Sequence, residues 1–287
     1  MESAITISEQ IEILKSRNLL FENESKAEQF ILENNYCRLA GYWEKYLINL
    51  DEGESNFIFN TTFEKIVAIY ELDALLRNLL QKGVGVFEIC FRSKFAYYMA
   101  HSEPNGQYLY LEQSSYINNI SKYESPEDLL KSINKEIERS NEKFIEHYKQ
   151  INKKIPICSA IEILSFGTVS RMYSLWANKE VKKEVIKNFN LFKNYYSTRH
   201  IIRSLVILRN SCAHQSRIWN KRLIAQVPDK EYLKNFGTSD ERSQWRIISV
   251  LMTLVDGINE NKKFSHNVMN LCKQNEEFYK GLIEPTS

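Results

Sequence analysis

The sequence lacks the features that mark membrane, secreted and metal-binding proteins. It has no run of about 18 uncharged apolar residues, and charges are spread through its first 20 residues. We therefore expect no membrane span and no secretory signal, and place the protein in the cytosol. The five cysteines are scattered, with no CxxC pair and no histidine at zinc-ligand spacing. They predict reduced thiols, and no metal or cofactor is indicated.

Residues that break helices are also scarce. Only nine glycines and five prolines occur in 287 residues, while apolar residues recur at spacings of three and four. This pattern predicts an all-α helical bundle, with strands minor at best and one short extended piece at 57–59. We expect an N-terminal helical part, residues 1–60, to pack as one unit on a larger helical domain, residues 61–287.

Caps and breakers predict the helix boundaries. A Ser25–Glu28 capping box opens the second helix, and Gly83-Val84-Gly85 is expected to break the long apolar helix that starts at Thr62. The other predicted helices are 8–17, 36–50, 86–100, 125–148, 157–176, 179–189, 198–214, 238–258 and 265–282. Residues 102–124 are expected to form a loop or short pieces.

Positive charge is concentrated in one stretch, although the net charge is only +2. The 44 residues between Glu184 and Asp229 contain eight Lys or Arg and no acid. Such a stretch fits an RNA-binding surface, and an ordinary solvated basic surface is the alternative. Interleaved aromatic residues could stack on unpaired bases, although such residues are more often core. The RNA-binding candidates are Lys193, Tyr195, Tyr196, Arg199, Arg203, Arg217, Trp219, Lys221 and Arg222.

The most distinctive segment is LRNSCAHQSRIWN, residues 208–220, which contains an Arg-x4-His pair. Metal-independent RNA cleavage needs a base for the 2′-hydroxyl proton, an acid for the leaving oxygen and cations for the phosphorane. His214 can move the proton, and the guanidinium of Arg209 can bind phosphate oxygens. By itself the spacing is weak evidence, because it arises often by chance.

Helical geometry separates the two residues of this pair. At 100° per residue, His214 shares a polar stripe with Arg203, Asn210 and Arg217, whereas Arg209 falls about 140° away, on the apolar face. A charge there needs a partner or an interface. Glu88, four residues before Arg92, is one candidate partner. The other is a second subunit, because the chain has no second pair of this kind and a homodimer would supply both acid and base. A structural ion pair is the alternative.

Two segments resemble the motifs of one family. Residues 208–220 resemble the signature of the Abi-like abortive-infection proteins of the AbiD and AbiF type, which belong to the HEPN superfamily of helical ribonucleases. The segment NYCRLAGYW, residues 35–43, resembles their N-terminal YYRL-GYW motif, with Cys37 where an aromatic residue is common. The opening helix and Leu19-Leu20 also fit, so the resemblance covers about residues 5–260.

The resemblance implies a HEPN-like fold in which Arg209, Asn210 and His214 match the family's RN-x3-H motif and are catalytic. Two such motifs meet in this family, usually across a dimer, and cleave RNA without a metal to leave 2′,3′-cyclic phosphate ends. It also implies control by a structured noncoding RNA.

Three functions stay open at this point. The first is an RNA-cleaving effector that halts growth during phage infection, and the second is a non-cleaving module that holds a structured small RNA. The third is a helical interaction protein that binds no RNA. The expected partners are RNA and a second copy of the chain, with no membrane and no DNA.

Overall fold

The computed structural model describes residues 4–49, 55–118, 125–187, 189, 195–223, 227, 236, 240 and 242–286. Helices dominate it, which confirms the all-α prediction. The helices are α1 (Ile7–Ser16), α2 (Glu24–Asn34), α3 (Tyr36–Trp43), α4 (Phe63–Ala100), α5 (Pro126–Arg139), α6 (Lys143–Gln150), α7 (Ile157–Ile163), α8 (Phe166–Leu175), α9 (Lys179–Lys187), α10 (Tyr195–Ala213), α11 (Gln244–Asn259), α12 (Lys263–Cys272) and α13 (Glu276–Ile283).

A small hairpin interrupts the helices of the N-terminal part. Strand β1 (Leu47–Asn49) pairs antiparallel with β2 (Ser55–Phe57), with Leu47 opposite Phe57. The extended piece predicted at 57–59 is displaced by two residues, since the strand ends at Phe57 and a turn follows at Phe59. The helix predicted over 36–50 is wrong beyond Trp43, because a 3₁₀ turn at Glu44–Tyr46 leads the chain into β1.

Helix α4 is the central element, and the break predicted at Gly83–Gly85 is wrong. The helix runs without interruption for 38 residues, about 57 Å. A β-carbon on Gly83 would lie 2.2 Å from Cζ of Phe264, whereas one on Gly85 would meet nothing within 4 Å. Gly83 thus admits an aromatic ring from α12, and packing overrides the poor helix propensity of glycine.

Other boundaries differ because local caps act at single residues. Asn23, not Ser25, caps α2, since its side chain accepts a hydrogen bond from the Lys26 amide at 2.9 Å. Three predicted helices are each split in two: 125–148 into α5 and α6, 157–176 into α7 and α8, and 265–282 into α12 and α13. Ser165 caps α8 and Asn275 caps α13. Apolar periodicity continues across such short breaks, so it does not reveal them. The cap predicted at 238–241 lies largely outside the described residues.

The buried side chains form one continuous cluster from α1 to α13. Helix α4 packs against α3, α7, α9, α10, α11 and α12, so it joins the N-terminal part to the rest. The division at residue 60 stays a prediction. None of the described helices combines the length and apolar character needed to cross a membrane.

The two glycines of α4 provide a matched test. We expect Gly85→Ala to raise the free energy of unfolding by about 0.5–1 kcal/mol, because alanine favours the helix and finds open space there. We expect Gly83→Ala to lower it by about 1 kcal/mol, because the Phe264 ring must move. Urea denaturation of both variants measures this difference. Equal stabilisation by both substitutions would contradict the packing role of Gly83.

Candidate functional site

Helix α10 carries the candidate catalytic segment. It packs against α4, α8, α9 and α11, and its inward face is fully buried. The residues of that face are Ile201, Ile202, Leu205, Leu208 and Cys212. Arg203 and Asn210 are exposed on the opposite side, and the exposed His214 follows directly after the last helical residue. The polar stripe predicted from the sequence therefore holds for Arg203, Asn210 and His214.

Arg209 lies at the rim between the two faces. Its side chain is 37% exposed, and its Nε atom lies 3.7 Å from Oε2 of Glu88 on α4. Its Nη1 donates to Oδ1 of Asn210 at 3.3 Å. Of the two candidate partners of Arg209, Glu88 is the one that lies beside it within the chain, and Arg209 is neither in the core nor fully solvated. Its Nε atom is buried and has no hydrogen-bond acceptor within the described ranges.

Glu88 forms an ion pair with Arg92, and Arg92 is hydrogen-bonded to the end of α7. The Arg92 Nε atom donates to Oε1 of Glu88 at 3.0 Å. Its Nη1 donates to the carbonyl oxygens of Ile161 at 2.6 Å and Leu164 at 2.5 Å. These carbonyls belong to the C-terminal end of α7, where a cation is favoured. Glu88, which is partly buried, and Arg92, which is buried, thus connect the end of α7 to the guanidinium of Arg209.

His214 is exposed, and its amide donates to the Asn210 carbonyl at 2.9 Å. Its ring makes no side-chain hydrogen bond with any described residue, so it is accessible for proton transfer. Gln215 then adopts a left-handed conformation with φ 54° and ends the helix. We call the segment Gln215–Asn220 the post-histidine turn.

One buried carboxylate organises the post-histidine turn. Asp73 of α4 is fully buried, and its Oδ atoms accept hydrogen bonds from the amides of Ile218 at 3.3 Å and Trp219 at 3.1 Å. The Tyr42 hydroxyl donates to it at 2.5 Å, and the Arg77 guanidinium forms an ion pair with it. A buried charge is tolerated only when it is paired and hydrogen-bonded, and Asp73 meets both conditions.

Gln215 is anchored by two arginines. Arg77 Nε donates to its side-chain oxygen at 3.2 Å, and the Arg38 guanidinium donates to its backbone carbonyl. Arg38 belongs to α3, within the segment 35–43. Gly41 of the same segment packs against Arg217, since a β-carbon there would lie 3.0 Å from Arg217 Nε. The two segments that carry the family resemblance are therefore in direct contact.

The prediction of an exposed, RNA-facing position is wrong for two residues, Trp219 and Arg217. Trp219 is fully buried, its Nε1 donates to the Phe278 carbonyl at 3.1 Å, and it stacks on Tyr42 and Tyr46. Arg217 is not on the stripe of His214, because the helix ends at Ala213. Its Nη1 instead donates to the Asn220 carbonyl at 3.2 Å. The ideal-helix extrapolation failed beyond the left-handed Gln215.

The remaining basic candidates fall into two groups. Arg199 and Arg203 lie one turn apart on α10. Arg199 lies near Lys182 of α9. Burial lowers the pKa of Lys182 to about 8, and the positive charges of Arg199 and Lys179 act in the same direction. Lys221 and Arg222 are exposed beyond the buried Asn220, and Arg222 Nε donates to the Pro285 carbonyl at 3.4 Å. Lys193 and the side chains of Tyr195 and Tyr196 lie outside the described residues.

Sequence reasoning did not single out Asp73, Arg77 or Gln215. A signal was present, because Asp73 and Arg77 stand four residues apart within the buried series Ile66, Ile69, Leu76 and Leu80. An acid and a base at this spacing on an apolar stripe indicate a buried ion pair. Within the described residues, no three side chains of the metal-binding types come together.

The model of the Abi-like protein family matches residues 29–220, which include both segments in contact here. The chain belongs to the Abi-like protein family. Membership supports a role in abortive infection. No curated protein and no solved structure matches the chain.

The buried carboxylate of this Abi-like protein should be critical for stability. We expect Asp73→Ala to lower the free energy of unfolding by about 3–5 kcal/mol, because it leaves the Arg77 charge buried and unpaired. Glu127→Ala is the matched control, because Glu127 pairs with Lys131 at the surface, where such pairs contribute at most about 1 kcal/mol. Chemical denaturation compares the two. Similar losses in both would refute the central role of Asp73.

Proposed function

We propose that this Abi-like protein is a metal-independent endoribonuclease of the HEPN type that acts in abortive infection. The observation that carries the proposal is the arrangement at the end of α10. An accessible imidazole at His214 stands five residues after the guanidinium of Arg209, which forms an ion pair with the partly buried carboxylate of Glu88.

The chemistry divides between these residues. His214 exchanges a proton with the 2′-hydroxyl or the leaving 5′-oxygen of RNA. Arg209 binds the non-bridging oxygens of the scissile phosphate, and Asn210 offers its amide to the same group. Glu88 and Arg92 hold the guanidinium of Arg209 in place. Attack by the 2′-oxygen on phosphorus then expels the 5′-oxygen and leaves a 2′,3′-cyclic phosphate and a 5′-hydroxyl.

A second copy of the chain completes this site. The reaction needs one group as base and another as acid, and each copy supplies a single histidine of this motif. Next to Glu88, α4 exposes a mixed stripe in which the apolar Leu75 (53% exposed), Ile89 (71%) and Tyr97 (58%) alternate with the polar Asn78, Lys82 and Ser93. Such a stripe suits burial against its symmetry mate, which would bring two Arg209–His214 pairs near each other.

Arg199 and Arg203 extend the RNA surface along α10. Burial is the main cause of the lowered pKa of Lys182, and the neighbouring positive charges of Arg199 and Lys179 lower it further. Bound phosphates would relieve this repulsion, so binding should weaken with rising salt. A structured noncoding RNA that restrains the enzyme is part of the proposal.

The first test is cleavage of structured RNA in EDTA. We expect wild-type protein to cut RNA to cyclic-phosphate ends, and His214→Ala and Arg209→Ala to lower the rate by at least about 100-fold, the contribution of a general acid or base. Lys131→Ala serves as the control for an exposed cation far along the chain. Gel analysis of end-labelled RNA reads the result. Cleavage that persists in both site variants would refute the assignment.

The second test concerns the α4 stripe. We expect Ile89→Asp to shift the protein from dimer to monomer and to reduce cleavage, because a carboxylate cannot be buried there unpaired. Leu32→Asp on α2 is the matched control, since Leu32 is also 71% exposed. Light scattering coupled to gel filtration gives the mass of each. A wild-type monomer that cleaves RNA at full rate would rule out the dimer.

One observation favours a second candidate function. Glu88 already neutralises Arg209, as in a purely structural ion pair. A non-cleaving module that holds a structured small RNA would be compatible with this pairing. In that case His214→Ala would bind RNA as wild type does, and neither protein would cut it.

A further inference from the structure

The chain leaves α10 through Gln215, a non-glycine residue with a left-handed backbone conformation. Gln215 has φ 54°, a left-handed conformation that costs a non-glycine residue about 1–2 kcal/mol. Its amide donates to the Cys212 carbonyl at 3.1 Å, and the Ser216 amide donates to the Ser211 carbonyl at 2.8 Å. These bonds close the last turn, so contacts that hold Gln215 also hold the peptide bond that joins it to His214.

External contacts hold Gln215 in this conformation. Arg77 donates a hydrogen bond to its side chain, and Arg38 donates one to its backbone carbonyl. Arg77 is fixed by Asp73 and by the Tyr42 hydroxyl at 3.0 Å. Arg38 is fixed separately, because its Nε donates to the Tyr70 hydroxyl at 3.1 Å and its guanidinium lies 5.6 Å from the centre of that ring. The Tyr70 hydroxyl in turn donates to Asn34 at 2.8 Å.

We propose that Arg38 of the N-terminal motif is a positioning residue for His214, acting through the backbone carbonyl of Gln215. The effect of Arg38 on catalysis rests on the proposed nuclease function, whereas its contact with Gln215 does not. Arg38 is only partly buried, so we expect its removal to cost less stability than removal of Asp73 or Arg77. Its removal releases one carbonyl next to His214 and leaves the buried ion pair intact.

The proposal gives the segment 35–43 a specific task at the site. Tyr42 reaches the post-histidine turn through Asp73, Gly41 packs on Arg217, and Arg38 bonds to the residue after His214. Of these three contacts, the one made by Arg38 is the nearest to His214 along the chain, because Gln215 is the next residue. Displacing a reacting group by about 1 Å can cost on the order of 100-fold in rate.

The experiment compares Arg38→Ala with Arg17→Ala, an exposed arginine of the same N-terminal part. The first readout is the imidazole NMR spectrum of the five histidines, with the His214 signal assigned from His214→Gln. We expect Arg38→Ala to shift or broaden the His214 signal, and to leave the melting temperature close to that of Arg17→Ala. Arg17→Ala should leave that signal unchanged.

The second readout is RNA cleavage. We expect Arg38→Ala to lower kcat about 10-fold with KM unchanged, and Arg38→Lys to recover part of the rate, because lysine can still donate to the carbonyl. If Arg38→Ala does not fold, Arg38→Met takes its place, since it keeps a long unbranched side chain and removes every donor to the Gln215 carbonyl. It should shift the His214 signal and lower kcat in the same direction.

The outcomes separate this proposal from the nuclease assignment. A shifted His214 signal in a protein that cleaves no RNA supports the positioning contact and refutes the nuclease. An unchanged signal, or a shifted signal with undiminished cleavage in an active wild type, overturns the positioning role.

Discussion

The structure around the candidate site depends on one buried carboxylate. Asp73 has no exposed surface and receives donors from α3, from its own helix and from two amides of the post-histidine turn. Such a charge is costly to bury and costly to unpair, so its donors are all required at once. The interaction therefore fixes three segments relative to one another, although they are far apart in the sequence.

Helix α4 carries a second anchor 15 residues further on. Glu88 orients Arg209, and Arg92 ties Glu88 to the end of α7. About 22 Å of helix separates Asp73 from Glu88, and Gly83 and Gly85 lie between them. Because the helix continues through these glycines, the distance between the two anchors is fixed by one continuous helix. Asp73 holds the turn that follows His214, and Glu88 pairs with Arg209.

The two candidate catalytic groups consequently differ in environment. Arg209 is half-exposed and paired, whereas His214 is exposed and its backbone amide bonds to the Asn210 carbonyl. The basic stretch is similarly divided. Its α10 part shares a face with His214, while its part after Trp219 lies beside the C-terminal segment. A run of positive charge in a sequence thus does not amount to one surface in the fold.

The sequence by itself determined the helical class and the family motifs, because helical periodicity and local spacing encode these features directly; it named Glu88 only as one of two candidate partners for Arg209, and the packing of α10 on α4 made the pair. Only the tertiary structure decided that α4 is continuous, that Trp219 is buried and that Arg217 leaves the stripe of His214. Each of these depends on a partner distant in sequence: Phe264 opposite Gly83, Tyr42 beside Trp219, and Arg38 on Gln215. Contacts of this kind override local propensity, since burial and hydrogen bonding outweigh the roughly 1 kcal/mol preferences of single residues.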